Sequence, residues 1–219
     1  MILQNIVDSV SKKILDKSIT KEDYIYMCNE CQYIIADSIY TPNLQTSTTL
    51  TCDGNETLTL PNDFSKNIFV AINLKNNLPI KIFESPIYLL KEYPLSSVGD
   101  VFAISLFENK KIIIRNVPND NQQIKIFYYK NPKVIKRLNV DINYIPESYV
   151  YTLFYNFICF KYFQMIEEGV NEGNEGIKIN SNFYYKLFMN KLQELQNKYS
   201  NIHDIANRDF TDAMRFLDE

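Results

Sequence analysis

Histidine is all but missing from this chain. Of 219 residues, His203 alone is a histidine, so any histidine-based triad or general base would rest on it. It follows Asn201 and Ile202 in a C-terminal stretch that offers no fixed cleft, which reads as a surface or interface position. Glycine is scarce too, and three of the five glycines crowd into Gly169, Gly173 and Gly176. No phosphate-cradling glycine loop and no nucleophile elbow is present. With no visible constellation of acid, base, nucleophile or metal ligands, the expectation is a protein that is not an enzyme. It is expected to carry no catalytic residues, no cofactor and no metal.

Long apolar runs are also lacking. The strongest candidate, Tyr149 to Ile166, is broken by Asn156, Lys161 and Gln164, so no unbroken run approaches the roughly 18 residues a bilayer span requires. Met1-Ile2-Leu3-Gln4-Asn5 has neither the basic nor the apolar region of a signal peptide, so no membrane role and no export are expected. A basic excess is absent as well: net charge is −3. Sequence-independent DNA binding draws on phosphate neutralisation, so the charge argues against it, although a protein that touches DNA only in passing would tolerate this balance.

Four cysteines stand at positions 28, 31, 52 and 159. Cys28 and Cys31 have the Cys-x-x-Cys spacing of zinc and redox sites. A structural zinc wants a second close pair, and Cys52 and Cys159 stand alone. The pair also falls at helical spacing in an apolar stripe, which predicts two small buried residues on a helix. Sixteen tyrosines and fourteen phenylalanines are present. A low-GC genome produces that excess without functional pressure, and the other reading is oligomer interfaces, where Tyr and Phe are enriched.

What is present is an order of parts. Ile2, Ile6, Val7, Val10, Ile14 and Leu15 recur at helical steps over residues 2–15. Thr20-Lys21-Glu22-Asp23 has a hydroxyl at a cap position and a carboxylate three residues on, opening a second helix to about Tyr40, before Pro42. From Thr46 the period changes to two. Thr46 to Cys52, Asp53-Gly54 and Glu56 to Leu60 predict a hairpin. Leu58-Thr59-Leu60-Pro61-Asn62-Asp63-Phe64 then ends a strand and turns the chain, because proline cannot donate to a ladder. Strands follow at Ile68–Ile72 and Ile80–Phe83, and Ser85-Pro86 starts a short helix that ends near Pro94. Val101–Phe107 and Lys111–Arg115 predict a second hairpin around Glu108-Asn109-Lys110, and Gln123–Tyr129 is a last strand. About seven short strands predict a small antiparallel β-sandwich or barrel. Lys110, Lys111, Arg115 and Lys125 alternate with isoleucines there, which predicts a solvent face and not a nucleic-acid patch.

A polar connection over roughly 131–144 leads to Ile145-Pro146-Glu147, a helix start. The helix from about Ser148 to Glu168 is apolar nearly all round, so it is expected to be buried on several sides by its own domain or by a neighbouring subunit. An acidic glycine loop follows, with Glu167, Glu168, Glu172 and Glu175. It lacks the ligand spacing of a calcium loop. A last helix is predicted from Ser181 to Tyr199, with Phe183, Leu187, Phe188, Leu192 and Leu195 in its stripe. Residues 200–219 carry spaced anchors, Ile202, Ile205, Phe210, Met214, Phe216 and Leu217. Either they fold back as helix or they form an extended arm that orders on a partner. The predicted class is α+β: an antiparallel bundle of N- and C-terminal helices (1–42 and 133–199), an inserted β domain (43–132) and a C-terminal arm (200–219).

This ordered set resembles the head-to-tail adaptor, or gatekeeper, proteins of short-tailed bacteriophages. The likeness lies in the helical start, the Thr-rich strand, and Leu58 to Phe64 with its following strand. It continues through Ile112-Ile113-Ile114-Arg115-Asn116-Val117-Pro118, Ile124 to Pro132 and the Ile145-Pro146-Glu147 helix opening. It covers most of residues 20–200. Val98-Gly99-Asp100-Val101 departs from the glycine-proline segment that family members often carry there. The resemblance implies a virion neck protein assembled in the host cytoplasm as a dodecameric ring under the portal. Such a ring also meets a downstream nozzle or tail-ring protein and lines the channel for packaging, retention and ejection of the genome. It further implies helices side by side around the ring, a peripheral β domain, and an arm from about Ser200 to Glu219 reaching the portal. The acidic loop could then face the channel and keep DNA from sticking. Other readings are another neck or tail ring component, or a β-sandwich module binding a ligand such as carbohydrate, with helical oligomerisation arms.

Overall fold

Thr20 sets where the second helix begins. Its Oγ1 accepts from the backbone N–H of Asp23 at 3.2 Å, and Asp23 Oδ2 accepts from the Thr20 N–H at 2.9 Å. This reciprocal pair satisfies two donors that a helix start leaves open. The computed structural model describes residues 2–14, 19–108, 110–169 and 179–215, with backbone only at 168, 169, 179 and 201–215. The fold is α+β, and the chain divides into two compact units, residues 1–43 with 132–219, and residues 44–131.

The first unit is helical. Helix α1 (Leu3–Ile14) buries Leu3, Ile6, Val7 and Val10. Helix α2 (Lys21–Ser38) buries Tyr24, Met27, Cys28, Cys31 and Ile35 on one face. The connection after residue 131 has little regular structure, yet it buries Ile135, Leu138, Ile142, Tyr144 and Ile145. Its backbone is held by side chains. Asn29 donates to Ile135 O at 2.8 Å and accepts from Ile135 N at 2.8 Å, and Gln32 donates to Lys133 O at 3.0 Å. Its carbonyls in turn accept from the first N–H groups of α1, Leu3 N to Val140 O and Gln4 N to Leu138 O, donors that have no partner within their own helix.

Helix α3 (Pro86–Glu92) belongs to the second unit. Helix α4 (Glu147–Gly169) is central to the first, and α1, α2 and the last helix, α5 (Ile179–Arg215), all pack on it. Helix α5 runs antiparallel to α4, with Phe163 stacked on Tyr184 at 5.5 Å and the tilted ring pairs Phe160 with Tyr185 and Phe157 with Phe188, each at 5.1 Å. Farther along, Lys191 and Lys198 lie over the ring of Tyr149 at 4.7 and 5.7 Å, level with the start of α4. Residues 200–215 continue α5 past that start as helix, where an extended arm was expected over 200–219. No glycine or proline follows Gly176, so nothing in the backbone chemistry ends the helix at Tyr199.

The second unit has two sheets. One has three strands in the order β1 (Gln45–Thr51), β7 (Gln123–Lys130), β3 (Phe64–Asn73). The other has β2 (Thr57–Thr59), β6 (Lys111–Arg115), β5 (Ala103–Phe107) and β4 (Lys81–Phe83) in that order. Cys52, Leu58, Leu60, Ile68, Ile104, Ile112, Ile114, Ile124 and Ile126 meet in one cluster drawn from both sheets. Leu89 of α3 joins Ala103 and Ile113 in a second, which explains why Ile112, Ile113 and Ile114 are all buried.

Two expectations change here. The sheets form no closed barrel, and pairing is not wholly antiparallel, because β4 joins β5 in parallel. The predicted β1–β2 hairpin does not form either. Strand β1 pairs with β7 and β2 with β6, so Gly54, at φ +84°, carries the chain from one sheet to the other. Both strands still bury their apolar residues in the same cluster, which is what burial demands. The β5–β6 hairpin is present in antiparallel register.

The Leu58–Phe64 segment stitches this unit together. Leu58, Leu60 and Phe64 are buried, and the Phe64 N–H donates to Pro61 O at 3.0 Å. Asp63 Oδ1 accepts from the Tyr128 hydroxyl at 2.7 Å, while Asp63 O accepts from Asn131 N at 2.7 Å. Burial, helped by the Asp63 carboxylate, raises the Tyr128 phenol above its ordinary value.

Candidate interaction surfaces

The cysteines are taken up by packing. All four cysteines are free and buried. Burial pushes the Cys28 thiol up to about 12 and those of Cys52 and Cys159 up to about 11, and it raises Cys31 well above its ordinary value. Thiols held protonated in this way are poor nucleophiles and poor ligands. Among the described residues no group of three or more His, Cys, Asp or Glu side chains could hold a metal ion. None of the described helices is long and apolar enough to cross a membrane.

Several predicted positions fall differently from expectation. Arg115 is 3% exposed and not on a solvent face. Its Nε donates to Tyr93 O at 2.8 Å, and Nη1 lies 3.5 Å from Glu56 Oε2. The sheet is covered on both sides at β6, so alternation cannot place Arg115 outside. Lys110 and Lys111 are exposed and Lys125 is half-buried. Glu167 is not in a loop but in the last turn of α4. Its carboxylate accepts from Asn180 N at 3.0 Å, Ser181 N at 3.3 Å and the Ser181 hydroxyl. It thereby meets the positive end of α5. Glu168 lies on α4 with its side chain outside the description, and Glu172 and Glu175 lie outside the described residues. Ile202, Ile205, Phe210 and Met214 lie on the helical backbone of α5, as does His203, with their side chains outside the description. Phe216 and Leu217 lie outside the described residues.

Surface chemistry is concentrated on the helices. The buried stripe of α5 is Ser181, Tyr184, Phe188, Leu192, Leu195 and Tyr199, at steps of three and four. Phe183 and Leu187, expected in that stripe, are 55% and 38% exposed, and Tyr185 and Met189 are exposed on the flank. Past Met189 the outward residues turn polar, with Asn190, Gln193, Glu194, Asn197 and Lys198 exposed. The signal was legible: Phe183, Tyr184, Tyr185, Leu187, Phe188 and Met189 are too many apolar residues for one helix face.

Between α2 and α4 lies an open groove of about 380 Å³ lined by Asp23, Tyr26, Met27, Lys161, Gln164 and Met165. Tyr26 is 69% and Met165 56% exposed. Lys161 donates to Glu30 Oε1 at 2.7 Å at its edge. In the β unit Ile87, Tyr88, Leu90 and Leu95 are exposed on and after α3. The strand aromatics form tilted clusters, Phe69 with Phe127 and Tyr129, and not the flat platform a sugar ring stacks on.

Exposed apolar side chains in such an arrangement can bind protein surfaces. No protein family model matches the chain, and no curated protein matches its sequence.

Proposed function

We propose that the chain is a structural subunit of a virion neck, a head-to-tail adaptor that assembles as a ring beneath the portal and lines the passage for the genome. In this reading the helical unit is a bundle that packs side by side with its neighbours, and the β unit is an inserted small sandwich. The observation that carries the reading is the interrupted helical unit. Helices from both ends of the chain pack around α4, while residues 44–131 form a unit of their own, which is the order of parts that the resemblance to phage adaptors rests on. A ring of twelve follows from that resemblance. Residues 200–219 are the portal-docking element, in which α5 runs on as helix as far as Arg215 where an extended arm was expected. The acidic residues Glu168, Glu172 and Glu175 at the α4–α5 corner put negative charge where DNA would otherwise adhere.

The test is to mix purified protein with its portal, with and without residues 200–219, and image the products by electron microscopy. The full chain is expected to add a ring to the portal, and the truncated chain to lose that addition. If the truncated chain joins the portal equally well, the docking assignment is wrong. If neither joins, the adaptor reading is wrong.

A further inference from the structure

We infer that α5 of one copy docks, through Phe183, Lys186 and Leu187, into the α2–α4 groove of a second copy, making a head-to-tail contact between unlike surfaces. The inference deepens the ring reading and rests on it for the closure of the ring, but not for the contact itself. Three observations point to it. The first is apolar complementarity. The knob has Phe183 and Leu187 turned away from their own core, while the groove offers Tyr26, Met27 and Met165. Methionine adapts to an incoming side chain, and tyrosine gives large contact area at low entropic cost.

The second is charge. Helix α2 carries Glu22, Asp23, Glu30 and Asp37 against the single Lys21. Within it Glu22, Tyr26, Glu30, Tyr33 and Asp37 recur at helical steps along one side. Glu30 keeps one oxygen, Oε2, buried without a hydrogen-bond partner among the described residues. Helix α5 as far as Ser200 carries Lys186, Lys191 and Lys198 against the single Glu194. Lys191 is paired with Glu194 at 2.6 Å, and Lys198 lies over Tyr149, so among the described residues Lys186 is the α5 cation beside the knob that no such contact engages.

The third is height. The groove takes Lys161, Gln164 and Met165 from α4, and the knob lies where Phe160 and Phe163 of α4 meet Tyr185 and Tyr184. Both surfaces therefore sit at the same level along α4, on different sides of the unit. A neighbour generated by rotation about an axis along the helices brings equal heights together, and a head-to-tail contact that repeats by rotation closes into a ring.

The test uses two variants of the full chain at exposed positions, so the fold is kept: Phe183→Asp with Leu187→Asp on the knob, and Tyr26→Asp with Met165→Asp on the groove. Sedimentation analysis of the wild type is expected to show self-association. Each variant, with circular dichroism and melting temperature close to wild type, is expected to self-associate about tenfold or more weakly. An equal mixture of the two is expected to form a one-to-one dimer and nothing larger, because each keeps the surface the other lost. The inference is overturned if the wild type stays monomeric, if either variant associates like wild type, or if the mixture forms no dimer. Association through these surfaces in a protein that ignores the portal would instead reject the adaptor reading and leave the contact standing.

Discussion

Helices α4 and α5 draw on the same residue types and dispose of them differently. Helix α4 is apolar nearly all round, and its own chain covers most of it. Phe154, Phe157, Ile158 and Cys159 are buried under α1, α2 and α5. Helix α5 is equally aromatic over its first three turns, yet its own chain covers one side only and leaves Phe183, Tyr185, Leu187 and Met189 in solvent. An apolar residue on α4 serves the fold of its own chain; one on the outer side of α5 does not, and in the proposed contact it serves the neighbouring copy. Truncation should separate the two roles. Phe157, 2% exposed and packed on Phe188, is expected on Phe157→Ala to lose about 3–5 kcal/mol of unfolding free energy, a large share of a domain's usual stability. Phe183→Ala is expected to change the same quantity by no more than about 0.5 kcal/mol while weakening self-association. Urea unfolding at low protein concentration measures the first effect, and sedimentation the second. Equal losses in unfolding would erase the distinction.

A smaller effect sharpens the contrast between interior and surface through pH. The buried thiols all have folded values above the ordinary 9.0, up to about 12 for Cys28 and about 11 for Cys52 and Cys159. A group whose value is raised by folding ionises first in the unfolded chain. Its contribution is thus complete below about pH 9 and is lost as pH climbs toward 11. Tyr144, raised chiefly by burial, adds to the loss from its ordinary value of 10.0 upward. Melting temperature is expected to hold between pH 7 and 8.5 and then fall steadily to pH 10.5. Since three of the four thiols lie in the helical unit and one in the β unit, Cys159→Ala is expected to flatten the fall slightly. A melting temperature independent of pH up to 10.5 would mean that the thiols are not held in water-free surroundings.

What could be read in advance follows the range of the forces involved. Thr20 with Asp23, Ser85 with Pro86, and Lys111 to Arg115 are governed by neighbours within a few residues, and the second helix, the short helix and strand β6 appear close to where those signals put them. The change of period near Thr46 likewise lies close to the start of the second compact unit at Leu44. Partner choice was not legible. Asp53-Gly54 has hairpin chemistry, but whether β1 pairs with β2 or with β7, more than seventy residues on, is decided by which arrangement closes a single core. Arg115 misled for the same reason, since alternation says which way a residue points and not whether a helix covers that face. On α5 the missing stop signal was visible, because no glycine or proline follows Gly176. The exposed knob could also be found by counting apolar residues against the one face that packing can use. The groove opposite it could not, because Tyr26 and Met165 come together only through the packing of α2 on α4.

Glu167 marks the point where the two contrasted helices are tied, and it gives the smallest and most local of the expected effects. Its carboxylate receives Asn180 N, Ser181 N and the Ser181 hydroxyl, so a residue that ends α4 also satisfies the open donors that begin α5. The charge lies beside the positive end of the α5 dipole, which adds to the hydrogen bonds. Glu167→Gln keeps the size and part of the bonding, whereas Glu167→Ala removes both. The expected losses are about 0.5 kcal/mol and about 1 kcal/mol, in line with the removal of an N-cap. If the role is only to start α5, hydrogen exchange should quicken at the first turn of α5 and leave Phe154 to Ile158 of α4 unchanged. Faster exchange throughout α4 would instead mean that the corner sets how the two helices pack, and that the uncovered side of α5 depends on this one carboxylate for its orientation.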